Sequence, residues 1–518
     1  MRWVLIKPLH YSPFYDPEIQ EPLGMEYLAS SLKTAGCTVL LLDGALDKLD
    51  NTKTGRRTAA FQPDAVGFSI TTDHDLDSLL AIYNECKNLL GEKPVFWIAG
   101  GNFVTTEPEY ASESLPDEMH LMRFEADISI RDIVHQWREK ALDSLPRRID
   151  AVPPAFPDEL PFPARPFYAT VLQYGWAFNV QGSRGCCSAC KYCASRGMRG
   201  SNPAWRGRSP ENIVRELEWL AKQYGAQTFN FVDEDFLGPP SNARKRAKDF
   251  ADGIGNKGLK INFGIQIRPN SLTTETIDSL YKAGLRYVFM GIESDNPSDF
   301  KHWGRQYCAD AWHWVEHLQS LGIEVNAGTL LFHSESTVEG IRNFAGKLRQ
   351  YHLLNYRTAV NRLDAMPGSF FHNEYIAATG DAGRGGCITL PFNKQPELEF
   401  LYRTVTDVLA PVEIPSMHAL CVLPTAQTNK LFNNDEASFR LLKDINAECD
   451  DRVASCFFEI LDMFEKKNLT KDRTDELKSE NLLFGWKMID RLASNGFVRS
   501  PEPLYEAMQR FNHGNENL

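Results

Sequence analysis

The sequence predicts an α/β protein in three parts: a small doubly wound, Rossmann-like domain, a partial (β/α)6 TIM-type barrel, and a mostly helical C-terminal region. Three observations lead there. Apolar runs of strand length alternate with amphipathic stretches over residues 1–144 and again over residues 171–385. A proline-rich bridge, residues 145–170, separates the two runs. Residues 386–518 keep helical periodicity and have a charged C-terminus. A chain of 518 residues is long enough for two or three domains, each with its own core.

In the first part, "RWVLIKP" reads as a strand and "EPLGMEYLASSLKTAG" as a helix. Leu23, Tyr27, Leu28 and Leu32 lie near one face of that helix, and Gly36 stops it. "TVLLLDG", "DAVGFSITT" and "PVFWIAGG" are buried strands, "DLDSLLAIYNECKNLL" is a helix, and "HLMRF" is a last short strand. Continuous apolar strands joined through helices specify a parallel sheet covered on both faces. The bridge "LPRRIDAVPPAFPDELPFPARPFY" holds seven prolines, which forbid helix and favour an extended linker. Phe156, Leu160 and Phe162 suggest that it lies against the domains it joins.

The second part opens with the expected strand "YATVLQYGWAFNV". "SPENIVRELEWLAKQYG" is a helix with Ser209 as cap, Pro210 in its first turn and Gly225 as stop. Strands follow at "TFNFVDEDF", "KINFGIQIRP", "RYVFMGIES" and "EVNAGTLLF", with helices between them and a further strand expected at "YRTAVNRLDAM". About six β/α units are too few for an eight-fold barrel. Ligands of such folds gather at the carboxyl ends of the strands.

Composition excludes several classes. The net charge is −12 and no Lys/Arg run marks a nucleic-acid footprint. No apolar run reaches membrane-span length. "MRWVLIKPLHYSP" is too short in its apolar part for a signal peptide, so a cytoplasmic protein is expected. Eleven cysteines, odd in number and irregularly spaced outside one cluster, argue for reduced thiols serving a metal.

That cluster is "GSRGCCSACKYCASRG", residues 182–197. Cys186, Cys190 and Cys193 form C-x3-C-x2-C on a loop after a strand. Three thiolates so spaced can close around a [4Fe–4S] cube and leave one iron without a protein ligand. A structural zinc site wants four ligands, and no second Cys-x2-Cys or His pair completes one nearby. Cys187 is read as a packed thiol, since adjacent cysteines rarely both face one metal.

These residues, with "WRGRSPENIVREL", "FVDEDF", "IRPN", "GLRYVFMGIES" and "MPGS", resemble the radical S-adenosylmethionine (SAM) superfamily over roughly residues 175–370. The resemblance implies that SAM chelates the open iron. It also implies that an electron from the cluster splits SAM into a 5′-deoxyadenosyl radical, with the protein supplying placement and shielding. On this reading Asp233, Glu234 or Asp235 accepts from the SAM ammonium, the others serving as cap or solvated acid. Arg268 pairs with the SAM carboxylate. Glu293 and Ser294 meet the ribose hydroxyls, and Tyr192 packs on the cluster or adenine. Asn326 either helps with the ribose or methionyl end or is a plain strand polar residue.

The N-terminal part resembles the cobalamin-binding domain fused to radical SAM enzymes, through "EPLGMEYLASSLKTAG", "LLLDG", "PDAVGFSITT" and "FWIAGG". Cobalamin is expected at the strand ends, near Leu23, Gly24, Asp43, Ser69, Thr71, Thr72, Gly100 and Gly101. Two segments depart from the family pattern. "GGNF" replaces Gly-Gly-Pro-His, and "RFEADIS" puts Phe124 and Ala126 where glycines would stand, so their side chains could fill cofactor space. The Asp-x-His-x-x-Gly motif for a cobalt ligand is missing, and His10 and His74 are loop histidines at the right edge. "FHSESTVEG" replaces a Gly-x-Pro-Gly turn, so His333, Ser334 and Glu335 form either a substrate contact or an ordinary polar turn.

Three functions are compatible with these residues. The leading one is cobalamin-dependent C-methylation of a small molecule or peptide. The second is a non-methylating radical rearrangement, dehydration, epimerisation, cyclisation or ring contraction with the N-terminal domain as scaffold. The third is a non-catalytic metal or sensor protein, which would not need the strand-end carboxylates and Arg268. The expected partners are the substrate and a reductant such as flavodoxin or ferredoxin, with no nucleic acid and no membrane. Trp303, Trp312 and Trp314 suggest a stacking platform, but Trp312 and Trp314, on a helix, are read as core or interface packing.

Overall fold

A computed structural model describes residues 1–9, 21–139, 145–200, 204–380, 386–426, 436–497, 504 and 508–509. Its N-terminal part runs β1 (Arg2–Lys7), α1 (Leu23–Thr34), β2 (Thr38–Asp43), α2 (Asn51–Ala60), β3 (Ala65–Ser69), α3 (Leu76–Leu90), β4 (Phe96–Gly100), α4 (Asn102–Thr106), α5 (Pro108–Ser114), β5 (His120–Arg123), α6 (Ser129–Arg138) and β6 (Arg148–Asp150). The strands form one parallel sheet in the order β2-β1-β3-β4-β5-β6. The order reverses between β1 and β3, and in doubly wound sheets ligands bind outside the strand ends at that switch point. Val4, Ile6, Val66, Phe68 and Trp97 are buried among one set of core residues, and Trp3, Leu5 and Ile98 among another.

Two features of this half differ from the sequence reading. Helix α2 carries no apolar stripe; it buries Thr54, Gly55, Thr58 and Ala59, and its Asp50 cap accepts from the Lys53 amide. A methyl at Gly55 would stand 2.6 Å from Glu85 Cγ, so α2 lies close on α3 through small residues. The proline-rich bridge begins as a strand: β6 pairs with β5 through Leu121–Arg148, Met122–Ile149 and Arg123–Asp150.

The second part runs α7 (Tyr168–Tyr174), β7 (Phe178–Val180), β8 (Ser183–Gly185), α8 (Ser195–Arg199), β9 (Trp205–Gly207), α9 (Pro210–Tyr224), β10 (Thr228–Phe231), α10 (Pro240–Asn256), β11 (Asn262–Ile267), α11 (Thr274–Ala283), β12 (Leu285–Glu293), α12 (Pro297–Trp303), α13 (Ala311–Ser320), β13 (Glu324–Thr329), α14 (Val338–Gln350), α15 (Tyr356–Val360), β14 (Asp364–Ala365), α16 (Phe370–Thr379) and β15 (Ile388–Thr389). Strands β7, β10, β11, β12 and β13 are parallel neighbours in chain order. A lone parallel bridge, Phe332 to Arg362, stands in a sixth position. The sheet is an open arc; among the described residues no closed barrel forms.

Two expected strands are corrected. Residues 168–174 are helical, because Phe167 and Val171 are buried four apart while Leu172 is exposed, and Gly175 at φ +67 ends the turn. Only Phe178–Val180 of that stretch is strand. In "YRTAVNRLDAM", Asn355 caps a short helix, and only Arg362 and Asp364–Ala365 pair as strand.

Three long helices, α17 (Leu398–Ala426), α18 (Glu436–Glu465) and α19 (Lys471–Ser494), complete the chain. They share one core with the arc: the Phe332 ring lies 5.2 Å from Tyr402 and 6.5 Å from Phe457. Trp303 is fully buried, and Trp312 stacks on Tyr351 at 4.9 Å. Among the described residues no helix is long and apolar enough to cross a membrane.

Candidate functional site

The cysteine loop is framed by an antiparallel ribbon in which β8 pairs with β9. Gly185, just before Cys186, adopts φ +82, and a methyl there would lie 2.3 Å from the Ala204 carbonyl oxygen. Further pins hold the loop. The Lys191 amide donates to the Trp303 carbonyl at 2.9 Å, the Phe371 amide to the Lys191 carbonyl at 3.1 Å, and Arg199 to the Cys186 carbonyl at 3.2 Å.

Cys190 is buried, while Cys186 and Cys193 are half-buried. Burial raises the Cys186 thiol and pushes Cys193 up to about 11, and the Cys190 sulfur adds to both shifts. The three thiols therefore feel one another. Yet among the described residues no three Cys, His, Asp or Glu side chains converge as ligands of a single ion. In a cube each cysteine takes a different iron, so the three sulfurs need not meet at one point. Cys187 is pushed up to about 11 by burial and sits in the fields of Asp235, Arg268, Cys186 and Arg199.

The three acids after β10 have three different surroundings. Asp233 accepts from the Gly182 amide at 2.8 Å and the Ser183 hydroxyl at 2.5 Å, and burial pushes its carboxyl up to about 6. Asp235 pairs with Arg268 Nε at 2.7 Å, and Arg268 also donates to the Gly238 carbonyl at 3.0 Å. Glu234 accepts from Ser195 Oγ at 2.5 Å and lines an open cavity; burial raises its pKa.

At the end of β12, Glu293 holds Arg305 at 2.7 Å, and Arg305 donates to the Tyr192 hydroxyl at 3.0 Å. Ser294 donates to Asp299 at 2.6 Å, and His333 Nε2 lies 3.5 Å from the same oxygen, with its ring edge-on to Trp303. Asn326 donates to the Tyr287 hydroxyl at 3.0 Å, while its Oδ1 is buried without a partner among the described residues. The Ser334 carbonyl accepts from the Asn393 amide, and Glu335 meets Asn393 and Lys394. Arg305 is absent from the sequence reading: no spacing rule ties an arginine twelve residues past a strand end to a cysteine loop.

A cavity of about 570 Å³ lies between the N-terminal strand ends and the flanks of the cysteine loop. Leu23, Gly24, Ser69, Thr71, Gly100 and Gly101 line its N-terminal side. Arg184, Gly185, Ser195, Met198, Arg199 and Glu234 line the other. Nothing lies within 4 Å of a methyl built on Gly24, so a side chain there would project into free space. Gly101, at φ +106, approaches Ile70 so closely that a methyl would stand 2.4 Å from its carbonyl oxygen. This glycine-edged hollow, floored by Phe68, Ile98 and Ala99, fits a large flat cofactor.

Asp43 and Thr72 do not line the cavity. Asp43 accepts from the Ala45 and Leu46 amides and lies 3.6 Å from Lys7, which does line it; Thr72 caps the turn at 73–75. Phe124 and Ala126 stand in the wall without closing it. Phe124 takes φ +65 and turns onto Gly200, where a methyl would come within 2.8 Å of its ring. Among the described lining residues none is a histidine; His74 sits on the 73–75 turn, and His10 lies outside the described residues.

Two ion networks join the halves, and neither was legible in the sequence. Arg184, two residues before Cys186, pairs with Glu125 at 2.8 Å and Asp127 at 2.6 Å, and Arg206 also pairs with Glu125. Deeper, Arg165 of the bridge pairs with Glu21 (3.2 Å), Glu26 (3.4 Å) and Glu216 (3.0 Å), and Arg208 joins Glu216 to the Tyr27 hydroxyl. Burial raises the Glu21 carboxyl and holds Glu26 well above its ordinary value.

The switch-point cavity lies beside the flanks of the three-cysteine loop, and each of these two parts of the chain matches a known family. Residues 180–345 match the radical SAM superfamily and residues 17–132 match the B12 binding domain. The chain is a radical SAM enzyme with a cobalamin-binding domain, and its cofactors are a [4Fe–4S] cluster, SAM and cobalamin. It is 27% identical over 354 residues to an uncharacterized methyltransferase of Pyrococcus horikoshii, covering 63% of this chain and 73% of that protein. It is 25% identical over 337 residues to an anaerobic magnesium-protoporphyrin IX monomethyl ester cyclase of Synechocystis, covering 58% and 63% respectively. Its fold superposes on the cobalamin-dependent SAM radical enzyme OxsB, solved with aqua-cobalamin and SAM, with TM-score 0.72, 16% identity, and coverage of 100% of this chain and 84% of that one.

Proposed function

We propose that the chain is a cobalamin-dependent radical SAM C-methyltransferase that cleaves SAM to a 5′-deoxyadenosyl radical and methylates a carbon of a small molecule or peptide. The observation that carries this reading is the shared cavity: cobalamin-domain strand ends on one side, the cysteine-loop flanks on the other. The methyltransferase relative supports it. Cys186, Cys190 and Cys193 would hold the cluster, and the glycine-edged hollow would hold the corrinoid. When bound, these groups supply the one-electron reduction of a sulfonium and the carriage of a methyl group.

The chain's own residues do the rest. Glu234, held by Ser195 at the cavity edge, is the carboxylate we assign to the SAM ammonium. Asn326 offers an unpartnered buried oxygen to a ribose hydroxyl. Asp233 and Arg268 act through the loops they pin, and Glu293, Ser294 and Tyr192 through the network around Arg305 and Asp299. The same reading places the enzyme in the cytoplasm, with a low-potential donor such as flavodoxin or ferredoxin as its reductant.

The test is anaerobic turnover of reconstituted enzyme with methyl-labelled SAM and candidate substrates. Label in both the corrinoid and the product is expected. The cyclase relative favours one competing outcome, radical chemistry without methyl transfer. Release of 5′-deoxyadenosine with substrate converted but unlabelled would establish that outcome and overturn the methylation reading.

A further inference from the structure

We propose that Arg305 is a positioning residue of the cysteine loop: fixed by Glu293, its guanidinium sits against the Cys190 sulfur and sets how readily a cluster on that loop accepts an electron. The proposal rests on the cluster reading above and adds a residue outside the cysteine motif to it.

Arg305 Nη1 lies 2.7 Å from Glu293 Oε1, 3.0 Å from the Tyr192 hydroxyl and 4.0 Å from Cys190 Sγ, while Nη2 donates to the Gly291 carbonyl at 2.7 Å. Arg305 is 9% exposed and Glu293 11%, so solvent screens neither charge well. The backbone departs from regular strand geometry to build this contact. The β12–β13 register shifts between Gly291 and Glu293, and Glu293 takes φ +65, a conformation few residues other than glycine adopt. A methyl on Gly291 would stand 2.6 Å from Glu293 Oε1 and 2.8 Å from Arg305 Nη2. An ordinary buried ion pair requires no left-handed acid, bulge or bare glycine. Such departures, where a fold maintains them, cluster at functional sites.

The physical consequence follows from charge. A fixed cation beside a ligand sulfur stabilises the extra negative charge of a reduced cluster and raises its potential; hydrogen bonds and local charge at the sulfurs are known levers on that potential. Glu293 opposes this effect while holding the arginine in place. Removing the two charges should therefore move the potential in opposite directions. A purely structural contact would instead change iron loading for both variants without that opposition of sign.

The experiment is an EPR-monitored, dye-mediated redox titration of the reconstituted full chain without SAM, with iron quantified, for wild type, R305Q, R305K and E293Q. R305Q should titrate lower by about tenfold in the reduction equilibrium, ~59 mV for one electron. E293Q should titrate higher, and R305K should lie close to wild type. Midpoints that coincide, or that shift the same way in R305Q and E293Q, overturn the proposal. If R305Q holds no iron, E293Q and R305K decide: a raised midpoint for E293Q with a near-native R305K supports it, and an unmoved or lowered E293Q midpoint overturns it. A wild-type chain that takes up no iron overturns the cluster reading itself, and this proposal with it.

Discussion

Asp233, Glu234 and Asp235 are three consecutive acids that a sequence cannot rank, and the fold gives each a separate task. Asp233 turns inward to fasten Gly182 and Ser183, Asp235 anchors Arg268, and Glu234 faces the cavity. Burial moves Asp233 from 3.8 to about 6. A raised carboxyl binds its proton more tightly in the folded state, so its contribution to stability is full below pH 4 and is lost as pH climbs through about 6. At about 1.4 kcal/mol per unit the loss is roughly 3 kcal/mol. Urea unfolding of the apoprotein should show the stability of wild type relative to D233N falling between pH 4 and 6. A flat difference across that window would contradict the assignment.

At the scale of elements, strands β1, β3, β4 and β12 were readable because each is a continuous apolar run of strand length. Helix α9 was readable because Ser209 and Gly225 bracket it, and both cap as expected. Helix α7 was not, since "YATVLQY" mixes aromatic and β-branched residues that favour strands, and tertiary burial of Val171 decided otherwise. The bonds between elements were equally hidden. Arg184 on β8 meets Glu125 and Asp127 some 60 residues earlier, and charge pairs at such separation leave no periodic trace. Because Arg184 is mostly buried, R184Q strips Asp127 of its cation and leaves Glu125 with Arg206 alone, at a cost of about 3 kcal/mol. The N-terminal half should then unfold at lower urea than in wild type while iron loading holds. An unchanged urea profile would show the clamp contributes nothing.

For the molecule as a whole, the order of parts and the cluster motif were legible, whereas the way the halves meet was not. The Arg165 network draws Glu21, Glu26, Glu216 and Arg208 from the N-terminal domain, bridge and arc into one buried group. The bridge is thus a structural wedge as well as a tether. It brings the sheet's switch point against the cysteine loop and so creates one cavity with two kinds of wall. The departures at Phe124 and Ala126 mattered less than the sequence suggested, because Phe124 swings onto Gly200 and leaves the hollow open.

That hollow is the centre of the account, and it can be tested by filling it. Hydroxocobalamin binding, followed by absorbance and equilibrium dialysis, should be stoichiometric for the reconstituted wild-type chain. It should be lost in A126W, whose indole would occupy the cavity wall, while the iron content stays at the wild-type level. Undiminished corrinoid binding by A126W would show that the cofactor sits elsewhere and that the two-walled cavity is not its site.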